Sequence, residues 1–173
     1  FFDDLEGQPP AVADYKRLCD MYYGRIPMER RDMWHNHVNY YLNCILDVDR
    51  HIGAVLDQLE ASGQADDTIV IFTADHGEQG GAHHLRQKGS VAFKESVNVP
   101  LVIADPRHPE PNRSDAVGSH LDLVPTILAF AGMSDDERRT RYPQLNGQDL
   151  SGVVSDPTTA GPRGSSAAPG KGT

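Results

Sequence analysis

The sequence predicts an α/β fold, a sandwich of helices about a mostly parallel sheet, and three observations predict it. Two apolar runs, Thr68-Ile69-Val70-Ile71-Phe72-Thr73 and Val99-Pro100-Leu101-Val102-Ile103-Ala104, lack the polar alternation of a half-exposed strand. A segment of helical periodicity precedes the first run and another follows the second. Between the runs lies a loop rich in Gly and His, at the strand end where open α/β sheets place their ligands.

Residues 1–33 read as a polar N-terminal segment, with Pro9-Pro10 near its start and a short helix over Ala13 to Tyr23. A long amphipathic helix follows. Val38, Tyr41, Leu42, Ile45, Val48, Ile52, Val55, Leu56 and Leu59 recur at three- and four-residue steps, which predicts one apolar stripe facing a core. Gly63 stands where a left-handed helix end is expected, and Asp66-Asp67 makes the turn into the first strand. Both strands are expected to be buried on two faces. Pro100 is tolerated because the entering end of a strand need not donate there. Residues 105–118 form a proline-rich loop, and Leu121, Leu123, Val124, Ile127, Leu128, Phe130 and Ala131 predict a second helix ending at Gly132. Pro125 fits only in that helix's first turn. The Gly, Ser, Ala and Pro content of residues 155–173 predicts a flexible tail or linker, so the folded part is expected to span residues 34–154.

Composition narrows the function. The 173 residues carry 16 Lys+Arg and 25 Asp+Glu, a formal charge of −9. That balance excludes a nucleic-acid surface, which needs clustered Lys and Arg to meet a phosphate array. No apolar run reaches membrane-spanning length. Cys19 and Cys44 are too few for a disulfide framework and lack zinc spacing. The chain opens Phe1-Phe2-Asp3-Asp4 with no visible targeting segment, and the expectation is a piece of a longer protein.

The chemistry-bearing residues lie in the loop Ala74 to Gly89. Asp75 and His76 supply two metal-ligand types side by side, while Gly77, Gly80 and Gly81 let backbone approach an ion or oxyanion. Lys88 adds a point charge suited to an anion. The competing reading is a solvated turn in which Asp75 and His76 cap a helix or contact water.

These residues form part of a longer likeness. Tyr40-Tyr41, Asp49, Ile52-Gly53, Gln58 to Gly63, Asp67 to Glu78, His83, Lys88-Gly89, Ser96 to Leu101 and His120 to Leu128 occur in the order found in the sulfatase family. Over residues 38–152 the chain resembles that family, part of the alkaline phosphatase superfamily. The resemblance implies an alkaline-phosphatase-like α/β sandwich and a metal-dependent hydrolase of sulfate monoesters, borne by a small molecule or a saccharide. It implies Asp75 and His76 as ligands of one divalent cation, Ca²⁺ first, with Mn²⁺, Mg²⁺ or Zn²⁺ as alternatives. It further implies Lys88 as the lysine that grips the sulfate, and His83 as a second catalytic candidate. Between Lys88 and Pro100 the chain has one residue more than the common pattern, which keeps Lys94 as an alternative.

The family nucleophile is a formylglycine made from Cys or Ser in a Cys/Ser-x-Pro-x-Arg motif. Neither Cys19-Asp20-Met21 nor Cys44-Ile45-Leu46 fits, and Asp3-Asp4 lacks the strand expected before the family's other metal ligands. The expectation is therefore the C-terminal part of a catalytic domain, with half a site and no turnover alone. A phosphate or phosphonate ester hydrolase of the same superfamily, or a non-catalytic remnant, are the alternatives. Among the other histidines, His35, His37, His51, His108 and His120 read as surface, capping or packing residues, and His84 could extend the loop's polar lining. Cys44 reads as a small core residue, and Glu137-Arg138-Arg139 as a solvated charge run.

Overall fold

A proline with no N–H to satisfy opens the first helix of the computed structural model, which describes residues 5–159 and 161. The tail expected over 155–173 lies mostly outside the described residues, as do Asp3 and Asp4. The order is α1 (Pro10–Tyr23), α2 (Arg31–Ala61), β1 (Val70–Thr73), α3 (Lys94–Val97), β2 (Leu101–Ala104), α4 (Leu123–Phe130), α5 (Asp135–Arg141) and α6 (Ser151–Ser155). Single 3-10 turns occur at Ala65–Asp67, Ala82–His84 and His120–Asp122. The fold is mixed α/β, with β1 and β2 paired in a two-stranded sheet.

The described residues divide into two compact units, one made of those up to 67 with 71–102 and the other of 68–70 with those from 103 onward. In the first, α1 buries Val12 and Cys19, seven positions apart and so on one helical face. α2 runs for 31 residues, about 46 Å at 1.5 Å per residue, and the chain turns away two residues past its end at Gly63, with φ 72°. Only Trp34, near its start, is fully buried, and its indole N–H donates to the Pro27 carbonyl at 3.1 Å.

Two expectations about burial fail here. The predicted apolar stripe of α2 lies largely in solvent, with Val55 68% exposed and Leu42, Ile45, Val48 and Leu56 also exposed. Cys44 on the same helix is an exposed free thiol rather than a core residue. Nor are the strands buried on both faces, since Phe72 is 41% exposed and Leu101 and Val102 are exposed. The cause is geometric: a helix of that length outreaches two four-residue strands, and a two-stranded sheet has no neighbour beyond either strand.

The second unit is organised by buried charge. Asp105, just after β2, receives the Arg107 main-chain N–H at 3.0 Å and the guanidinium at 2.7 to 3.1 Å, and these bonds hold its carboxyl below the ordinary range. Arg107 also lies over the Phe130 ring at 5.6 Å. Asp122, fully buried, accepts from the Ser119 N–H at 2.7 Å, closing a capping box, and from the Gln148 N–H at 2.8 Å. Thr126 extends the seam by accepting from the Leu150 N–H at 3.0 Å. Pro125 falls in the first turn of α4 as expected.

The charge run at Glu137-Arg138-Arg139 is not all solvated. Arg138 is 3% exposed because it pairs with Asp135 and donates to the Leu145 carbonyl at 3.0 Å. Asp122→Ala would leave the Ser119 and Gln148 amides without their acceptor. It should cost about 3 kcal/mol, read as a lower denaturant midpoint, and an unchanged midpoint would remove Asp122 as the organiser of this unit.

Candidate active site

β1 delivers the chain to the site. Thr73 closes the strand by donating its hydroxyl to the Pro100 carbonyl at 2.8 Å, so the backbone leaves the sheet at a fixed point. Asp75 follows with its side chain 86% exposed. Its Oδ1 accepts the His76 main-chain N–H at 2.9 Å, and its Oδ2 lies 3.4 Å from His76 Nε2. His76 Nδ1 lies 2.8 Å from the Gly77 carbonyl oxygen. A carbonyl only accepts, so Nδ1 carries the hydrogen and a neutral imidazole presents a bare lone pair at Nε2. A lone pair facing a carboxylate is repulsive unless a proton or a cation lies between them. The oxygen and nitrogen donors therefore suit a cation of the kind expected from sequence.

The rest of the loop is held by its own main chain. Gly77 donates its N–H to the Ser96 carbonyl at 2.9 Å. A Cβ at Gly77 would collide with the Glu95 carbonyl oxygen, so only glycine fits. Glu78 Oε1 accepts from the amides of Gly80 at 3.2 Å and Gln87 at 2.7 Å, which pulls the two arms of the loop together. His83, His84 and Gln87 all have left-handed backbone, with φ between 52° and 66°. Three non-glycine residues so placed in one loop mark a conformation imposed by its surroundings.

α1 supplies part of that imposition. Tyr15 donates its hydroxyl to the Arg86 carbonyl at 2.9 Å, and Lys16 donates to the His84 carbonyl at 3.3 Å. The Tyr15 ring fills the space beside Gly89 that a Cβ would need. Burial pushes the Tyr15 hydroxyl well above its ordinary value, which keeps it a donor. In return the buried Arg86 guanidinium pairs with Asp20 at 3.4 Å and donates to the Tyr23 and Gly24 carbonyls at the end of α1.

The sequence-predicted residues divide accordingly. Asp75 and His76 face one another. His83 is stacked on Phe93, with centroids 4.1 Å apart and planes 17° apart, and its Nε2 lies 3.5 Å from Glu95 Oε2. Lys88 is exposed, and its carbonyl accepts from the Ser96 hydroxyl at 2.8 Å. Lys94, the alternative lysine, is exposed at the start of α3. Among the described residues no group of three or more His, Cys, Asp or Glu side chains could hold a metal ion.

His37, read as a surface or capping residue, is half-buried, and His84, read as part of the loop's polar lining, is buried. His84 is buried with its ring 5.8 Å from that of Trp34, and His37 meets the same indole edge-on at 6.2 Å. Burial pulls the His37 imidazole below its ordinary value. Sequence reasoning assigned no role to Tyr15, Arg86, Gln79 or Ser96. Their side-chain partners lie 8 to 71 positions away, and of the four only Ser96 falls within a block of the family resemblance.

A family model described as Sulfatase matches residues 4–133. The chain is 39% identical over 101 residues to an uncharacterized sulfatase, YidJ, of Escherichia coli, covering 58% of this chain and 20% of that protein. It is 33% identical over 98 residues to an endo-4-O-sulfatase of Bacteroides thetaiotaomicron, covering 57% and 19%. A crystal structure of the phosphonate monoester hydrolase of Agrobacterium radiobacter aligns with a TM-score of 0.55 at 34% identity, covering 64% of this chain and 21% of that one. The chain thus spans about a fifth of the length of these relatives.

Proposed function

This chain belongs to the sulfatase family, within the alkaline phosphatase superfamily, and on that premise we propose that it carries part of the active site of a sulfate monoester hydrolase. The observation that supports this reading best is the Asp75–His76 pair, whose carboxylate oxygen and imidazole Nε2 lie 3.4 Å apart at a strand end. In this reading the two residues hold one divalent cation, Ca²⁺ before Mn²⁺, Mg²⁺ or Zn²⁺, and the remaining ligands and the formylglycine come from the rest of the intact protein. Such a cation offsets the charge that makes a sulfate ester resist nucleophiles.

Each of the chain's own groups then has a task. Asp75 orients His76 through its main-chain N–H, and the Gly77 carbonyl keeps the Nδ1 hydrogen in place so that Nε2 stays available. Lys88 presents an ammonium to the sulfate oxygens and to the ester oxygen that gains charge as the S–O bond breaks. His83, braced by Phe93 and Glu95, is a proton-carrying candidate at the edge of the site. A likeness to an N-acetylglucosamine-6-O-sulfatase of Bacteroides thetaiotaomicron, 34% identical over 101 residues, supports a saccharide sulfate as substrate.

A second reading, hydrolysis of phosphonate monoesters, is favoured by the aligned structure. Assaying the intact protein against an aryl sulfate and an aryl phosphonate monoester separates the two. The sulfate should be the better substrate, and preference for the phosphonate would replace the first reading with the second. On the preferred ester, Lys88→Ala should lower kcat about 10²–10³-fold, the usual loss for an electrostatic stabiliser. Wild-type turnover by that variant, with Lys94→Ala impaired instead, would move the role to Lys94.

A further inference from the structure

Outside the groups already given a task, Ser96 makes the densest set of contacts with the loop. It lies in α3 and is 7% exposed. Its main-chain oxygen accepts from the Gly77 N–H at 2.9 Å, one residue past His76. Its hydroxyl accepts from Gln79 Nε2 at 2.7 Å and donates to the Lys88 carbonyl at 2.8 Å. The direction of this relay is forced. The Lys88 carbonyl can only accept, so the hydroxyl hydrogen points there and a lone pair is left for the Gln79 amide NH₂. Gln79 is 2% exposed, and the opposite amide orientation would set oxygen against that lone pair.

Lys88 needs such a tie. It is flanked by two left-handed residues, Gln87 at φ 66° and Gly89 at φ 58°, and positions 87 to 90 are all exposed. A lysine on four rotatable carbons, leaving a loop of that kind, gains precision only where its main chain is fixed. The hydroxyl that bonds to the Lys88 carbonyl belongs to the residue whose own carbonyl holds Gly77.

We propose that Ser96 is a positioning residue: its hydroxyl sets where Lys88 leaves the loop while its main-chain oxygen sets the residue after His76. One buried serine thereby spaces the lysine from the cation-binding pair. This rests on the sulfatase reading. It makes a specific claim about separable roles, because Ser96→Ala removes the hydroxyl bonds to Lys88 and Gln79 and leaves the main-chain bond to Gly77.

The test uses the intact protein with Ser96→Ala, Ser96→Thr, Lys88→Ala and the Ser96→Ala/Lys88→Ala double variant. Ser96→Ala should lower kcat on an aryl sulfate about tenfold, within the loss that misplacement of a catalytic group by about 1 Å can cause. Bound metal should stay at the wild-type level, and Ser96→Thr, which keeps a hydroxyl, should recover most of the rate. In the Lys88→Ala background the same serine change should cost less than about twofold, because residues acting through one another are not additive. An undiminished tenfold loss in that background would overturn the proposal, and so would loss of metal from Ser96→Ala.

Amide hydrogen exchange on the resting protein gives a readout without turnover. Ser96→Ala should speed exchange at residues 88–90 and leave the Gly77 amide protected. Equal acceleration at both places, or none, would overturn the positioning role. If the wild-type protein hydrolyses neither sulfate nor phosphonate ester, the sulfatase reading fails and takes the catalytic part of the proposal with it. The exchange pattern then decides by itself whether Ser96 holds Lys88.

Discussion

Asp75→Asn should abolish most sulfate-ester turnover by the intact protein and strip its divalent cation in the same step. Asparagine keeps the size of the side chain and an oxygen that can accept the His76 N–H, now bonded to Asp75 at 2.9 Å. What it removes is the negative charge, and a hard cation held by oxygen ligands depends on that charge. Rate and affinity should fall together, with kcat down by at least about 10²–10³-fold and metal content after dialysis near zero. The contrast is His76→Asn, which keeps a side-chain oxygen at this position that can ligate a cation and should retain far more of both. Metal analysis beside a rate assay checks the pair. Full metal and full rate in Asp75→Asn would show that the cation is held elsewhere.

Gly77→Ala should be the most damaging single methyl in the loop. The added carbon would meet the Glu95 carbonyl oxygen inside contact distance, the Glu95 carbonyl carbon at 3.0 Å and the Ser96 Cα at 3.3 Å. All three atoms are main chain, so no side chain can rotate away, and α3 must shift bodily or the Gly77–Ser96 bond must break. A cost of about 3 kcal/mol is expected, near the upper end for overpacking, together with loss of activity. The same substitution at Gly53 meets nothing within 4 Å. There, inside α2, alanine should stabilise by about 0.5–1 kcal/mol through the unfolded chain. Denaturant unfolding of both variants gives the comparison, and equal effects would refute the packing argument.

The opposite signs at two glycines show what the sequence could carry. Periodicity announced α2 and α4 because apolar residues at three- and four-residue steps leave few alternatives, and β-branched runs announced β1 and β2. The adjacency of Asp75 and His76, and their place after a strand, were likewise legible from order alone. Burial was not. The stripe of α2 told which residues share a face without telling what lies against it, and Val55 stands in solvent. Arg138 looked solvated because its acceptor at Leu145 is a main-chain atom seven positions on, invisible to any pattern of charges. The left-handed His83, His84 and Gln87 were equally hidden, since none of these residue types signals such a backbone. Ser96 illustrates the limit most clearly. Nothing in Lys94-Glu95-Ser96-Val97 marks a hub, because its role comes from carbonyls and amides that every residue possesses.

The grip of α1 on the loop has the same character, with a consequence for how this region can vary. Tyr15 and Lys16 address the carbonyls of Arg86 and His84 and not their side chains. Arg86 answers by addressing the carbonyls of Tyr23 and Gly24. A clasp between side chains and main chain is indifferent to much of the lettering of the segment it holds but strict about its count. Homologous loops could trade residue types there freely, whereas a one-residue insertion or deletion would put every clasp out of step.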